Sequence, residues 1–207
     1  MRVCKFFAAA LLVLLSSSAL AQMDRYIAGT DYRVLDTPVR TADSSKVEVI
    51  ELFWYGCPTC YAFEPHIADW ESRQADAVDH KRLPAHWNPI TRLHAQAYYT
   101  AEVLGEVDAI HDPFFNEFHV NRNYLQSEVV IREFFESCGI SQQDFDRVFN
   151  SFAVRTRLNQ GETQMNSYGT PQTPLMYVNG KYVVELVGGN FRKMLDVVDY
   201  LVSIEQG

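Results

Sequence analysis

Two cysteines lie two residues apart in the run Cys57-Pro58-Thr59-Cys60, and they are the side chains best placed to do chemistry. Such a pair serves as half of a zinc site, as a structural staple or as a redox dithiol. Structural zinc wants four tetrahedral ligands, usually two such pairs or one pair plus histidines. This chain has one pair, and His66, His80, His86, His94, His111 and His119 show no compact HxxxH spacing. A staple across two residues closes a tiny loop and restrains little chain entropy. Position favours the redox reading, because the pair follows a strand-like run and opens a helix-like one. The first turn of a helix leaves N–H groups unpaired and carries the positive end of the dipole. A thiolate there is stabilised, so Cys57 is expected to be the exposed nucleophile with a lowered pKa. Cys60, one turn in, is expected to be buried and to act as the resolving thiol. Thr59 can donate one hydroxyl hydrogen bond to a thiolate but carries no charge.

The positioning elements follow from periodicity and punctuation. Residues 47–54 (VEVIELFW) are β-branched and aromatic, nearly continuous, and predict a strand buried on both faces, interrupted by Glu48 and Glu51. Pro58 suits the first position of a helix running to about residue 75, with a kink expected at Pro65. Residues 32–35 and 78–83 are further strand candidates. From Pro89 to about Tyr168 the pattern turns helical. Pro113 is expected to open one helix, 127–138 and 141–152 to form two more, with Gly139 as a stop and Ser141 with Asp144 as a capping-box-like start. Strand character returns at 175–178 and 182–184 around Asn179-Gly180, a strong hairpin signal. Asn190 then caps a last amphipathic helix. The order β-α-β, helices, β-β-α predicts an α/β layer divided by about eighty helical residues.

The chain has 207 residues, 47% of them hydrophobic and 21% charged, which is ordinary globular composition. A net charge of −8 argues against a nucleic-acid binder, since phosphate neutralisation needs clustered Lys and Arg. Residues 1–21 read as a secretory signal peptide: Arg2 and Lys5, an apolar run, then Ala19-Leu20-Ala21 as the cleavage site. The apolar run is too short for a spanning helix of about 20 residues. Cleavage removes Cys4 and leaves a net charge of −10 with Cys57, Cys60 and Cys138, an odd set in an oxidising compartment.

The stretch EVIELFWYGCPTCYAFEP resembles the active-site strand and helix of the DsbA family of periplasmic thiol:disulfide oxidoreductases. TPLMYVNGKYVV resembles that family's cis-proline loop and following hairpin, and the helical block matches its insertion. The resemblance covers essentially the whole mature chain. It implies an α/β, thioredoxin-like fold with an inserted all-helical domain: 22–87 and 169–207 as the two parts of the thioredoxin-like domain, 88–168 as the insertion. It implies a Cys57–Cys60 redox-active disulfide, Pro174 as the cis-proline facing it, and Thr173, Pro58 and Thr59 as substrate-binding positions. Pro171, three residues earlier, is the rival proline. Glu51 matches the acidic residue beneath the pair, which should have a raised pKa and relay protons to Cys60; its rival reading is an exposed strand residue. Arg82 and Glu64 match a basic partner and a further acid.

The resemblance further implies a monomer of the bacterial periplasm, with no cofactor and no metal. It would oxidise reduced secreted proteins and be reoxidised by a DsbB-type, quinone-linked membrane oxidase. Two positions depart from the family pattern. Thr59 stands where many members have His, and Thr173 where strong oxidases often have Val. The first points to lower oxidising power, and both bear on how oxidising the protein is and on its redox partner, keeping open a disulfide reductase or isomerase. A peptide-binding module that keeps its disulfide as a relic is the reading from another class. Cys138 is expected to be a small packed hydrophobe. The histidines are expected at helix surfaces or partly buried. By alternation, Phe53 and Tyr55 should share the core side of their strand.

Overall fold

The computed structural model describes residues 25–74, 76, 78–169 and 171–207. The expected signal peptide, its cleavage site and Cys4 lie outside the described residues. Among the described residues five strands form one mixed sheet in the order β1-β5-β4-β2-β3. They are β1 (Arg33–Val34), β2 (Val47–Phe53), β3 (Val78–Pro84), β4 (Leu175–Val178) and β5 (Tyr182–Glu185). β2 pairs in parallel with β3 and antiparallel with β4, and the β4–β5 hairpin and β1 complete the sheet antiparallel. Every residue of β2 is buried, which explains its unbroken hydrophobicity: it is central, with helices over both faces. Asn179 and Gly180 both take positive φ, 49° and 63°, as the two-residue turn between β4 and β5 requires.

Helix α1 (Pro58–Ser72) begins at the cysteine pair and runs through Pro65. It buries Cys60, Phe63, Ile67 and Trp70, a stripe at helical spacing. Phe63, Ile67 and Trp70 pack with Val49, Met176 and the inner face of α7 (Phe191–Gln206). Burying each such side chain stabilises the fold by roughly 2 kcal/mol. Trp70 Nε1 also donates to Asp199 Oδ1 of α7 at 2.7 Å, so the two helices on this face are tied.

Between β3 and β4 lie α2 (Pro89–Leu104), α3 (Val107–His119), α4 (Glu128–Ser137), α5 (Gln142–Phe149) and α6 (Phe152–Tyr168). Their aromatic core includes Phe114, Phe135, Phe145 and Phe149 and takes in Phe53, Tyr55 and Cys60 from the sheet side. α6 covers the other sheet face, where Tyr168 stacks on Tyr177 at 3.8 Å.

Two helix boundaries differ from expectation. α3 starts at Val107, so Pro113 lies inside it rather than at its opening. Ile110 and His111, in the turn before the proline, are buried and draw the helix forward. The expected helix over 141–152 ends at Phe149. Ser151 turns extended and its hydroxyl accepts from the Val154 N–H at 3.3 Å, capping α6 as a separate helix. The Ser141 cap is as expected, accepting from the Asp144 N–H at 3.1 Å.

Candidate active site

β2 ends beneath a tight turn in which the Cys57 N–H bonds the Trp54 carbonyl at 2.9 Å. The turn sets Cys57 as the extended N-cap of α1, with Pro58 following. Cys57 Sγ accepts from the Cys60 N–H at 3.4 Å, the capping bond of the helix. Cys57 is half-buried and Cys60 fully buried; both are free thiols in the structure. The Cys57 pKa is lowered to about 5. The Cys60 thiol contributes most, by hydrogen bonding to the thiolate. Partial burial opposes it, and the Thr173 side chain and the N–H groups of Cys60 and Thr59 add to the lowering. Cys60 is pushed well up, by burial first and then by the Cys57 thiolate. The two thiols are thus driven apart, one towards a stable anion and one towards a held proton.

The second wall of the site comes from the loop before β4. The Thr173–Pro174 peptide is cis. The Thr173 carbonyl oxygen lies 3.7 Å from Cys57 Sγ. The loop is brought there by antiparallel pairing of β4 with β2, which sets Leu175 opposite Leu52 and Met176 opposite Glu51.

Glu51 lies within β2 and is 0% exposed. Burial, reinforced by the negative Glu64, pushes its pKa up to about 8. Its register partner on β3 is Arg82. Arg82 Nε stands 3.7 Å from Glu51 Oε2, while Nη2 reaches Glu64 Oε2 at 4.0 Å and Glu71 Oε2 at 3.5 Å. Neither Glu51 oxygen has a hydrogen-bond partner among the described residues. A buried carboxyl without a donor prefers its neutral form, so at neutral pH Glu51 holds a proton.

Residues 77–196 match the family model described as the DSBA-like thioredoxin domain. The thiol:disulfide interchange protein DsbA of Pseudomonas aeruginosa is 35% identical over 187 residues, covering 90% of this chain and 89% of that protein. The DsbA of Azotobacter vinelandii is 34% identical, covering 86% and 84%. This chain belongs to the DsbA family. The crystal structure of Pseudomonas aeruginosa DsbA superposes with a TM-score of 0.84 at 34% identity, covering 89% of this chain and 96% of that one. The oxidoreductase DsbA of Xylella fastidiosa gives 0.81 at 30% identity, covering 87% and 98%. The fold is therefore the thioredoxin-like α/β fold of the DsbA family, and the chain is a thiol:disulfide oxidoreductase.

On this DsbA framework the structure gathers Cys57, Cys60, Thr173 and Pro174 at one end of the sheet. Glu51, Glu64 and Arg82 form one buried cluster. The exposed-strand alternative for Glu51 fails, because β2 is central. Pro58 is exposed, and Thr59 acts on Cys57 through its backbone N–H. Pro171 is exposed, and the cis bond lies at Pro174, whose preceding carbonyl faces Cys57. Phe53 and Tyr55 share the core as alternation required, their rings crossing edge to face at 5.1 Å. Cys138 is half-buried at the C-cap of α4 and packs against the helical core.

The histidines overturn expectation. His86, His94 and His111 are buried rather than superficial. His94 accepts from Trp54 Nε1 at 3.1 Å, and His111 contacts both Tyr55 and Glu64. The sequence signal for these roles was absent: their partners lie 40 to 56 positions away. Among the described residues no group of three His, Cys, Asp or Glu side chains converges on a metal position.

Proposed function

We propose that Cys57 and Cys60 form the redox-active disulfide and that this protein introduces disulfide bonds into reduced secreted proteins. A substrate thiolate attacks Cys57 Sγ. The Cys57–Cys60 bond breaks, a mixed disulfide forms, and the Cys60 sulfur leaves with the electron pair. Cys60 is buried and takes up a proton, for which the neutral Glu51 carboxyl is the donor. A second substrate thiolate then attacks the substrate sulfur of the mixed disulfide and expels Cys57 as a thiolate. The substrate loses two electrons, which remain in the reduced pair. A leaving group of low pKa departs faster and stabilises the reduced state, so the lowered Cys57 drives the exchange towards substrate oxidation.

The observation that carries this reading is the half-buried Cys57 at the N-cap of α1 facing the Thr173 carbonyl. Thr173, Pro174, Pro58 and Thr59 are the residues along which an extended substrate segment would lie. Around this site, 22–87 with 169–207 and 88–168 are the two structural units. The protein would act as a monomer in the periplasm after cleavage near Ala21. A DsbB-type, quinone-linked membrane oxidase would take its electrons. No described helix is long and apolar enough to cross a membrane.

Cys57→Ser is expected to abolish both insulin reduction and oxidation of dithiol peptides; unchanged activity overturns the assignment. The uncharged Thr59 favours the second reading, a disulfide reductase or isomerase. Trapping the thiol state in cells separates the two: an oxidised pair supports the oxidase, a reduced pair the alternative.

A further inference from the structure

His111 is buried on α3, yet both of its ring nitrogens are engaged. Nδ1 lies 3.0 Å from the Tyr55 hydroxyl and Nε2 lies 3.2 Å from Glu64 Oε2. Phe53 and Phe115 pack edge to face on the ring at 5.2 and 5.3 Å. Burial, followed by the Arg82 charge, lowers the imidazole pKa to about 3, so the ring is neutral. A neutral imidazole has one N–H, and an ionised carboxylate can only accept. The proton must therefore sit on Nε2 when Glu64 is ionised, and Nδ1 must accept from the Tyr55 O–H.

Glu64 has the His111 ring as a hydrogen-bond partner at Oε2. Its Oε1 is buried with no hydrogen-bond partner among the described residues, and Arg82 stands off at 4.0 Å. The other titratable groups around the cluster are Glu51 on β2, His80 on β3, Glu71 on α1 and Asp112 on α3.

We propose that His111 is a positioning residue for the thiol exchange, holding the Glu64 carboxylate beside Arg82 through its Nε2–H and thereby keeping that guanidinium divided between Glu64 and Glu51. The proposal rests on the assignment of Glu51 to the proton step. Without His111, Glu64 loses its donor and its negative charge becomes harder to keep. Losing one charge-assisted hydrogen bond raises such a carboxyl by about one pH unit. A more neutral Glu64 repels Glu51 less and releases Arg82 to it, so the Glu51 pKa falls and Glu51 carries its proton over a narrower pH range.

The test uses the reduced, full-length mature protein labelled at the glutamate carboxyl carbons and histidine nitrogens, read by NMR. On the alkaline side of the Glu64 midpoint, wild-type His111 is expected as the Nε2–H tautomer. His111→Phe is expected to raise the Glu64 midpoint by about one pH unit and lower that of Glu51. His111→Gln keeps one N–H and one acceptor and is expected to hold Glu64 near its wild-type midpoint. An Nδ1–H tautomer or an imidazolium in the wild type overturns the proposal. So does an unmoved Glu64 in His111→Phe, or an equal shift in both variants. If His111→Phe does not fold, the wild-type tautomer and the His111→Gln midpoint decide. The pH profile of Cys60 alkylation in Glu51→Gln stands apart: an unchanged profile there removes Glu51 from the proton step while leaving the His111–Glu64 result intact.

Discussion

Cys57 Sγ lies 3.7 Å from the carbonyl oxygen of Thr173, a residue 116 positions further along the chain. The contact joins the start of α1 to the loop before β4, so Cys57 Sγ and the backbone before the cis-proline form one surface. The same loop adds the Thr173 side chain to the groups that stabilise the Cys57 thiolate.

The Cys57 thiolate should titrate with a midpoint of about 5, read by its ultraviolet absorbance in the reduced protein. Cys60→Ala removes the leading hydrogen-bond donor and should raise that midpoint, whereas Cys60→Ser retains an O–H donor and should raise it less. Because the folded value lies below the ordinary thiol value of 9.0, the thiolate stabilises the reduced fold above that value. The stabilisation is lost as pH falls through about 5. Denaturation midpoints of reduced and oxidised protein should therefore converge on acidification. A gap that stays constant would contradict this account.

Thr173→Val deletes a hydroxyl donor beside Cys57 while keeping the shape of the side chain. The thiolate midpoint should rise by about one pH unit or less. Equilibrium with glutathione should shift towards oxidised protein, a weaker oxidant, with about 30 mV for each tenfold change. A shift towards the reduced form would show that the hydroxyl does not serve the thiolate.

Glu51→Gln should flatten part of the pH dependence of stability. The folded Glu51 pKa is raised to about 8, so its contribution is complete below the ordinary carboxyl value of 4.5 and is lost as pH rises through 8. Between those values the folded state keeps a proton that the unfolded state releases. Wild-type stability should thus decline by up to about 1.4 kcal/mol per pH unit relative to the variant. Urea denaturation across that window checks it, and parallel curves for the two proteins would be inconsistent with a buried, protonated Glu51.

Gly56→Ala should destabilise the turn below the cysteines. An added Cβ would stand 2.3 to 2.7 Å from three ring carbons of Trp54. That ring is fixed by the Nε1–H donation to His94 at 3.1 Å, so it cannot swing away without breaking the bond. Overpacking of this kind costs about 1–3 kcal/mol. Thermal melting of the variant is the measurement, and a wild-type melting temperature would mean that Trp54 yields freely.

Much of the site was legible because its signals are local. A CxxC pair between a strand-like run and a proline-opened helix needs no distant partner to be recognised, and Asn179-Gly180 specifies its own turn. The helical block was less so. Pro113 reads as a helix start, since proline is well tolerated there, but burial of Ile110 and His111 carries α3 back to Val107. Ser151 reads as one more helical residue until its hydroxyl is seen closing on the Val154 N–H.

The α/β order, the cysteine pair, the proline loop and the acid within β2 were readable from the chain alone, because each is written in short-range pattern or family motif. Tertiary structure alone decided what surrounds them. Packing α3 against α1 and β2 brings His111 between Tyr55 and Glu64, and pairing β3 with β2 sets Arg82 beside Glu51. Those placements fix which carboxyl keeps its proton. Charge and desolvation act through space, and the spacing of residues along a chain does not record distances across a core.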